Sequence, residues 1–143
     1  RGLTIERDYD ASVPDFRGDR EQLIQALLNI VRNATQALES RIDAGDARIV
    51  LRTRVARQVT IARARHRLAL DLHVIDNGPG VPGTLQANVF ERFARGDDAR
   101  NRANGSTGLG LSIVAAVTKA HGGRVELDSR PGDTTFSLVL PAV

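Results

Sequence analysis

Three short stretches carry residue types that an ordinary surface loop does not need. The first is Asp76-Asn77-Gly78-Pro79-Gly80, which closes a run of alternating apolar residues, Leu68, Leu70, Leu72 and Val74. A carboxylate at the end of a half-buried strand is costly unless a donor meets it. An exocyclic amino group such as that of adenine is a suitable donor. Gly78 and Gly80 let the backbone turn sharply and approach a flat ligand closely, and Pro79 stiffens the turn. A simple Gly/Pro hairpin turn also accounts for the glycines, but not for the Asp and Asn that precede them. The second stretch is a polar helix face. Gln25, Asn29, Arg32, Asn33 and Gln36 recur at spacings of three and four, so they line up together. Asn29 and Asn33 stand one turn apart. An amide oxygen is a neutral, hard ligand that suits magnesium, and the amide NH2 donates to phosphate. Taken alone, this face equally suits a solvated helix surface. The third stretch is Gly105-Ser106-Thr107-Gly108-Leu109-Gly110. Its glycines precede or open a helix, where free N–H groups face an anion. No Lys-Ser/Thr follows, so this is no Walker-type loop, and it is no convincing dinucleotide fingerprint either.

The elements that must position these residues are legible from periodicity. Leu3 and Ile5 alternate in an edge strand. A helix follows, with Asp19 as N-cap and Gln22 placed to complete a capping box. Its Leu23, Leu27, Ile30, Ala34 and Leu38 recur at helical spacing and face the core. The pattern breaks at Ala44. Ile49, Leu51, Thr53 and Val55 alternate in a strand, and an arginine-rich connection, read as a long hairpin, leads to the strand ending at Asp76. A short helical piece is expected around Val89–Phe93, then a polar run without periodicity. The helix opened by Gly108 and Gly110 stops at Gly122–Gly123, and two strands flank the Arg130-Pro131-Gly132-Asp133 turn. This β-α-β-β-loop-α-β-β order predicts an α/β fold, a two-layer sandwich with a mixed sheet and helices on one face. One domain over residues 1–143 is expected.

Bulk properties exclude little but are consistent. The 143 residues suit one compact domain, and with no cysteine neither disulfides nor cysteine-bound zinc hold it. No apolar run approaches the roughly 18 residues that span a bilayer. The absence of methionine reads as a fragment of a longer protein. Twenty basic against 17 acidic side chains leave a net charge of +3. The cluster Arg52, Arg54, Arg57, Arg63, Arg65 and Arg67 suits phosphate contacts or, more simply, solvated strand ends. Four Phe and one Tyr offer little for base stacking.

In order, the boxes read NIVRNATQAL from Asn29, DNGPGVP from Asp76, VFERFARG from Val89 and GSTGLGLSIV from Gly105. This sequence resembles the ATP-binding catalytic domain of sensor histidine kinases, in the superfamily shared with gyrase B, Hsp90 and MutL, over essentially its whole length. The resemblance implies the Bergerat ATP-binding fold, ATP and Mg2+ as cofactors, and a cytoplasmic setting. It implies Asn33 as magnesium ligand with Asn29 as its companion on the phosphate side. Asp76 would read the adenine amino group, with Gly78 and Gly80 forming the adenine-side turn. Arg92 and Arg95 would face phosphates before a mobile lid over about residues 95–107. Gly108, Leu109 and Gly110 would bring backbone N–H groups to the phosphates, and Thr135 would add an adenine-pocket hydroxyl. Where many members carry Lys or Tyr soon after the second asparagine, this chain has Gln36 and Ala37. The first half resembles nitrogen-regulation kinases of the NtrB type. The lid and C-terminal half resemble kinases of OmpR-type systems, a mosaic joined between about Pro82 and Val89, as in a chimera.

The partners implied are the dimerisation and histidine phosphotransfer domain of the parent kinase and, indirectly, a response regulator. Neither nucleic acid nor a membrane is expected to be contacted. None of His66, His73 and His121 stands in a phosphoacceptor box, so the chain alone is not expected to phosphorylate itself. The other readings are an ATP-gated or serine-kinase module of the anti-sigma-factor type, or a basic nucleic-acid-binding domain. A gyrase-like hydrolase would use a helix glutamate beside Asn33, and Glu39 lies too far along.

Overall fold

The computed structural model describes residues 2–13, 15, 17–86, 89, 90 and 110–142. In chain order it contains β1 (Leu3–Asp8), α1 (Arg20–Ala37), α2 (Glu39–Ala44), β2 (Ala47–Ile61), β3 (Ala64–Asp76), α3 (Gly83–Gln86), α4 (Gly110–Ala120), β4 (Arg124–Arg130) and β5 (Asp133–Pro141). The strands form one sheet in the order β1-β2-β3-β5-β4. β1 runs parallel to β2 and the other pairs are antiparallel, so the sheet is mixed, as expected.

Strand alternation decides where the core sits. Ala47 and Ile49 of β2, Val74 of β3, and Phe136 and Leu138 of β5 share one face. They are buried against Ala26, Ile30, Ala34 and Leu38 of the first helical segment and Val114 of α4. Both long helices therefore lie on that face, giving the two layers read from the sequence. Of the residues expected on the core face of α1, Ile30 and Ala34 are fully buried and Leu23 and Leu27 are half-buried; Ala26, not singled out, is buried completely.

Asp19 caps α1, its Oδ1 accepting from the Gln22 N–H at 3.1 Å. The capping box is only half formed. The Asp19 N–H donates instead to Nε2 of His121 at 2.8 Å, while Nδ1 of the same ring lies 2.8 Å from the Val117 carbonyl. The imidazole thus carries its proton on Nδ1 and joins the C-terminal end of α4 to the start of α1. Asp19→Ala is expected to cost about 1 kcal/mol, read as a lower denaturant midpoint at unchanged slope.

α1 ends at Leu38, and α2 continues the chain before Gly45 stops it at φ 86°. The arginine-rich connection is itself strand. β2 and β3 run to a two-residue turn at Ala62 and Arg63, with φ of 49° and 69°, the paired positive values of a type I′ hairpin turn. α3 precedes the expected Val89–Phe93 helical piece. Val89 and Phe90 form a turn, and the remainder of that piece lies outside the described residues. Phe90 meets Phe136 edge to face, with centroids 5.9 Å apart.

Candidate functional site

Asp76 is 4% exposed at the end of β3. It sits on the helix-facing side of the sheet, beside Thr134 in register. Its Oδ1 accepts the Gly78 N–H at 2.9 Å. Burial pushes its carboxyl above the ordinary carboxylate range; the Gly78 N–H partly offsets this, and the Asp133 charge adds to the rise. A buried acid is thereby held where a ligand donor gains most from meeting it.

The turn after Asp76 explains the rest of the motif. Asn77 is a latch: its Oδ1 accepts from the Arg48 N–H at 2.9 Å and its Nδ2 donates to the Asp46 carbonyl at 2.9 Å. It joins the end of β3 to the start of β2. A Cβ on Gly78 would lie 2.9 Å from Asp76 Oδ1 and 3.4 Å from the Ala37 carbonyl. Gly80 has φ 91°, and a Cβ there would lie 3.0 Å from the Arg130 carbonyl carbon and oxygen. Gly80→Ala is therefore expected to cost about 1–2 kcal/mol from the left-handed backbone alone, with the Arg130 contact adding to it. Chemical denaturation with and without nucleotide will read both the instability and the displaced turn.

Asn33, Ala34 and Ala37 of α1, Asp76, Gly80 and Val81 after β3, Leu111 of α4, and Thr134 and Phe136 of β5 line one cavity of about 150 Å³. Its wall is braced by hydroxyls. The Val81 N–H donates to Ser129 Oγ at 2.8 Å, and that oxygen lies 2.8 Å from Thr134 Oγ1. Asn33 Nδ2 donates to the Asn29 carbonyl at 3.0 Å, which leaves its Oδ1 as the free ligand atom. A Cβ at Gly110 would lie 3.7 Å from Asn33 Nδ2, so the first turn of α4 stands beside Asn33.

The structure thus brings together Asn33, Asp76, Gly80 and Gly110, with Gly78 in the supporting turn. Asn29 is buried one turn away and lines a separate groove of about 280 Å³ with Glu21, Ile24, Gln25, Leu28 and Arg32. Its buried Nδ2 finds no hydrogen-bond partner among the described residues. Thr135 is not in the cavity. Paired with Ile75, it lines a second groove of about 410 Å³ on the other side of Asp76, with Arg48, Arg52 and Ile75. Thr134 lines the cavity instead. The signal was present: Phe136, Leu138 and Leu140 alternate inward, and the residue in phase with them is Thr134. Arg92, Arg95, Gly108, Leu109 and the lid of residues 95–107 lie outside the described residues.

The class of protein follows first from the fold. The nucleotide-free catalytic domain of histidine kinase ThkA superposes with a TM-score of 0.74 at 22% identity, covering 99% of this chain and 80% of that one, a likeness of fold alone. The mycobacterial sensor histidine kinase MprB gives 0.73 at 28% identity, over 99% of this chain and 84% of that one. Residues 18–143 match the histidine kinase-, DNA gyrase B-, and HSP90-like ATPases, and the chain belongs to that family. Sensory histidine kinase/phosphatase NtrB of Klebsiella oxytoca is 47% identical over 139 residues, 97% of this chain and 37% of the relative. The probable sensor histidine kinase TcrY of Mycobacterium tuberculosis is 47% identical over 124 residues, 87% of this chain and 23% of the relative. The chain therefore spans little more than a third of the NtrB relative. Both likenesses cross the Pro82–Val89 stretch, so similarity to the NtrB type extends into the C-terminal half. Among the described residues no helix is long and apolar enough to cross a membrane.

Proposed function

We propose that this chain is the ATP-binding domain of a sensor histidine kinase and presents the γ-phosphoryl group of Mg-ATP to a histidine on a separate dimerisation domain. The observation that carries the reading is the cavity in which buried Asp76 faces the same space as Asn33. One end accepts from a base and the other suits a charged, metal-bound phosphate chain. Adenine would enter against Asp76, whose carboxylate accepts from the exocyclic amino group, with Phe136 and Leu111 along the ring. The phosphates would extend past Asn33 toward the first turn of α4, where unsatisfied N–H groups favour anions.

The donor set fits magnesium. Asn33 Oδ1 is a hard, neutral oxygen; Asn29, which lines the separate groove, would offer its Nδ2 to a phosphate rather than to the ion. Among the described residues no group of three His, Cys, Asp or Glu side chains stands ready to hold a metal. The ion would accordingly be held by asparagine together with phosphate oxygens, as small hard cations commonly are. When bound it neutralises charge developing on the transferred group. The protein's own contribution is positioning: the base fixed by Asp76, the phosphates aligned by Asn33 and α4, and the γ-phosphorus left open to an incoming nucleophile. A histidine nitrogen then attacks in line, the bond to the β-γ bridging oxygen breaks, and ADP leaves.

Transfer is favoured over hydrolysis by what the cavity lacks. Asp76 is the one carboxylate among its described lining residues, and it sits at the base end. Glu39 opens α2 and is exposed. The test is transfer in trans. With labelled ATP the chain alone should take up no acid-labile phosphate, whereas an added dimerisation fragment from an NtrB-type kinase should become labelled. Label on His66, His73 or His121 of the isolated chain would refute the division of labour.

A further inference from the structure

The arginine cluster of the β2–β3 hairpin is left unused by the nucleotide site. Residues 47–70 contain seven arginines and no acid. Near the body of the sheet the arginines are paired: Arg52 and Arg54 both reach Asp8 Oδ2 at 2.8 Å, and Arg48 lies 3.8 Å from Glu6. Toward the tip the pairing stops. Arg57, Arg63, Arg65 and Arg67 are exposed, and none has an ion pair or side-chain hydrogen bond among the described residues.

The tip is nonetheless held in place. Ile61 is buried with Ala69 and Val139, and Ala56 and Val59 pack on them. Arg124 of β4 donates to the Thr60 carbonyl at 2.5 Å, so the ribbon end is tied to the far side of the sheet. Its outer edge is open. β1 pairs with β2 only as far as Arg52, and no described strand pairs with β2 beyond that point on the same side. A fixed ribbon with an unpaired edge and four unneutralised guanidinium groups is an unusual combination, because open edges invite a further strand.

We propose that this ribbon end docks an extended acidic segment of a partner protein, which adds to the open edge of β2 with its carboxylates toward Arg65 and Arg67, which share one face of β3, and toward Arg63 at the turn; Arg57, in register with Leu68, lies on the other face. Charge complementarity selects the partner, and bidentate guanidinium–carboxylate pairing suits arginine rather than lysine. A long polyanion fits less well. The chain's net charge is only +3, and Asp71, Glu126 and Asp128 line the neighbouring strands β3 and β4. The two aromatic rings in mutual contact, Phe90 and Phe136, belong to the core rather than to the ribbon. A membrane surface fits less well still, since none of the exposed large apolar residues, Ile5, Tyr9, Ile24, Leu28 and Ile113, lies on the ribbon.

The test uses the intact chain and a fluorescent peptide of alternating Glu and Thr, followed by anisotropy at low and at physiological salt. Saturable, salt-sensitive binding is expected. It should weaken about tenfold or more in Arg65→Glu/Arg67→Glu, as expected from losing and reversing two charge pairs, and less in Arg57→Glu. It should be unchanged in Arg7→Glu, which makes the same kind of charge change on β1. Arg65→Gln/Arg67→Gln provides the same reading should the double reversal fail to fold, with melting curves confirming the fold of each variant. The same peptide with an N-methylated backbone should bind more weakly, because it cannot pair with the edge. Absence of peptide binding, binding indifferent to the ribbon variants, or ribbon-dependent retention of duplex DNA or phosphatidylserine vesicles without the peptide would overturn the proposal.

Discussion

Asp76→Asn should weaken ATP binding about ten- to a hundredfold, the worth of a charge-assisted hydrogen bond to the base, while leaving the protein at least as stable at neutral pH. The first half follows from geometry. The carboxylate is buried on the cavity wall, and its replacement has the same shape but presents one oxygen and one NH2. With Oδ1 retained for the Gly78 N–H, the group left toward a ligand is a donor facing a donor. Preference for ATP over GTP should collapse with it. The second half follows from the raised pKa of Asp76, caused chiefly by burial. A carboxyl that titrates higher in the folded than in the unfolded chain binds its proton more tightly when folded. Its contribution to stability is full below the unfolded pKa and is lost as pH rises through the folded pKa. The Asn variant carries no charge and escapes that loss. It should match the wild type in acid and exceed it at neutral pH, as read from denaturation midpoints across the range. A variant that loses both nucleotide and stability would mean that Asp76 holds the turn rather than reads the base.

Asn33→Ala should remove most of the affinity that magnesium adds to a triphosphate, on the order of ten- to a hundredfold, the scale on which even ligand-orienting neighbours act. Metal-free ADP should bind the variant much as it binds the wild type. Asn33 Nδ2 is occupied by the Asn29 carbonyl, so the side chain presents its oxygen, an atom that suits a metal ion rather than a phosphate. Its neighbours Ala34 and Ala37 line the same cavity without any atom that could replace it. Affinities measured for ATP and ADP, each with and without magnesium, separate the metal from the base. An unaltered magnesium effect in the variant would move the ligand role elsewhere, with Asn29 the next group to test.

Periodicity made most of the fold legible. Alternation in β2, β3 and β5 and the 3.6-residue recurrence in α1 each point inward through the residues that are buried, and the glycine stops at Gly45 and Gly122 have positive φ as their positions demand. What sequence could not show was long-range. The Asp19 N–H finds His121 rather than Gln22 because α1 and α4 lie side by side with opposite directions, a contact across 102 positions. Asn77 looked like part of a ligand site, but its amide bonds β2, 29 and 31 positions away. The arginine-rich stretch, read as a connection in the form of a long hairpin, is that hairpin, with β2 and β3 paired up to the turn at Ala62 and Arg63. Asp76, Asn33 and Gly80, singled out by residue type, line one cavity. Thr134, and not Thr135, lines the cavity shared by Asp76 and Asn33, and in a strand one residue is the difference between the two faces.

In the proposed function a single cavity reads an adenine at Asp76 and a metal-bound phosphate chain at Asn33. Calorimetric titration of the folded chain with ATP and GTP, each with and without magnesium, tests this most directly. Saturable binding of ATP that is strengthened by magnesium is expected, with GTP bound much more weakly under both conditions. Magnesium alone should give no heat of binding. Equal affinity for ATP and GTP, or no heat and no shift in melting with millimolar Mg-ATP, would contradict it.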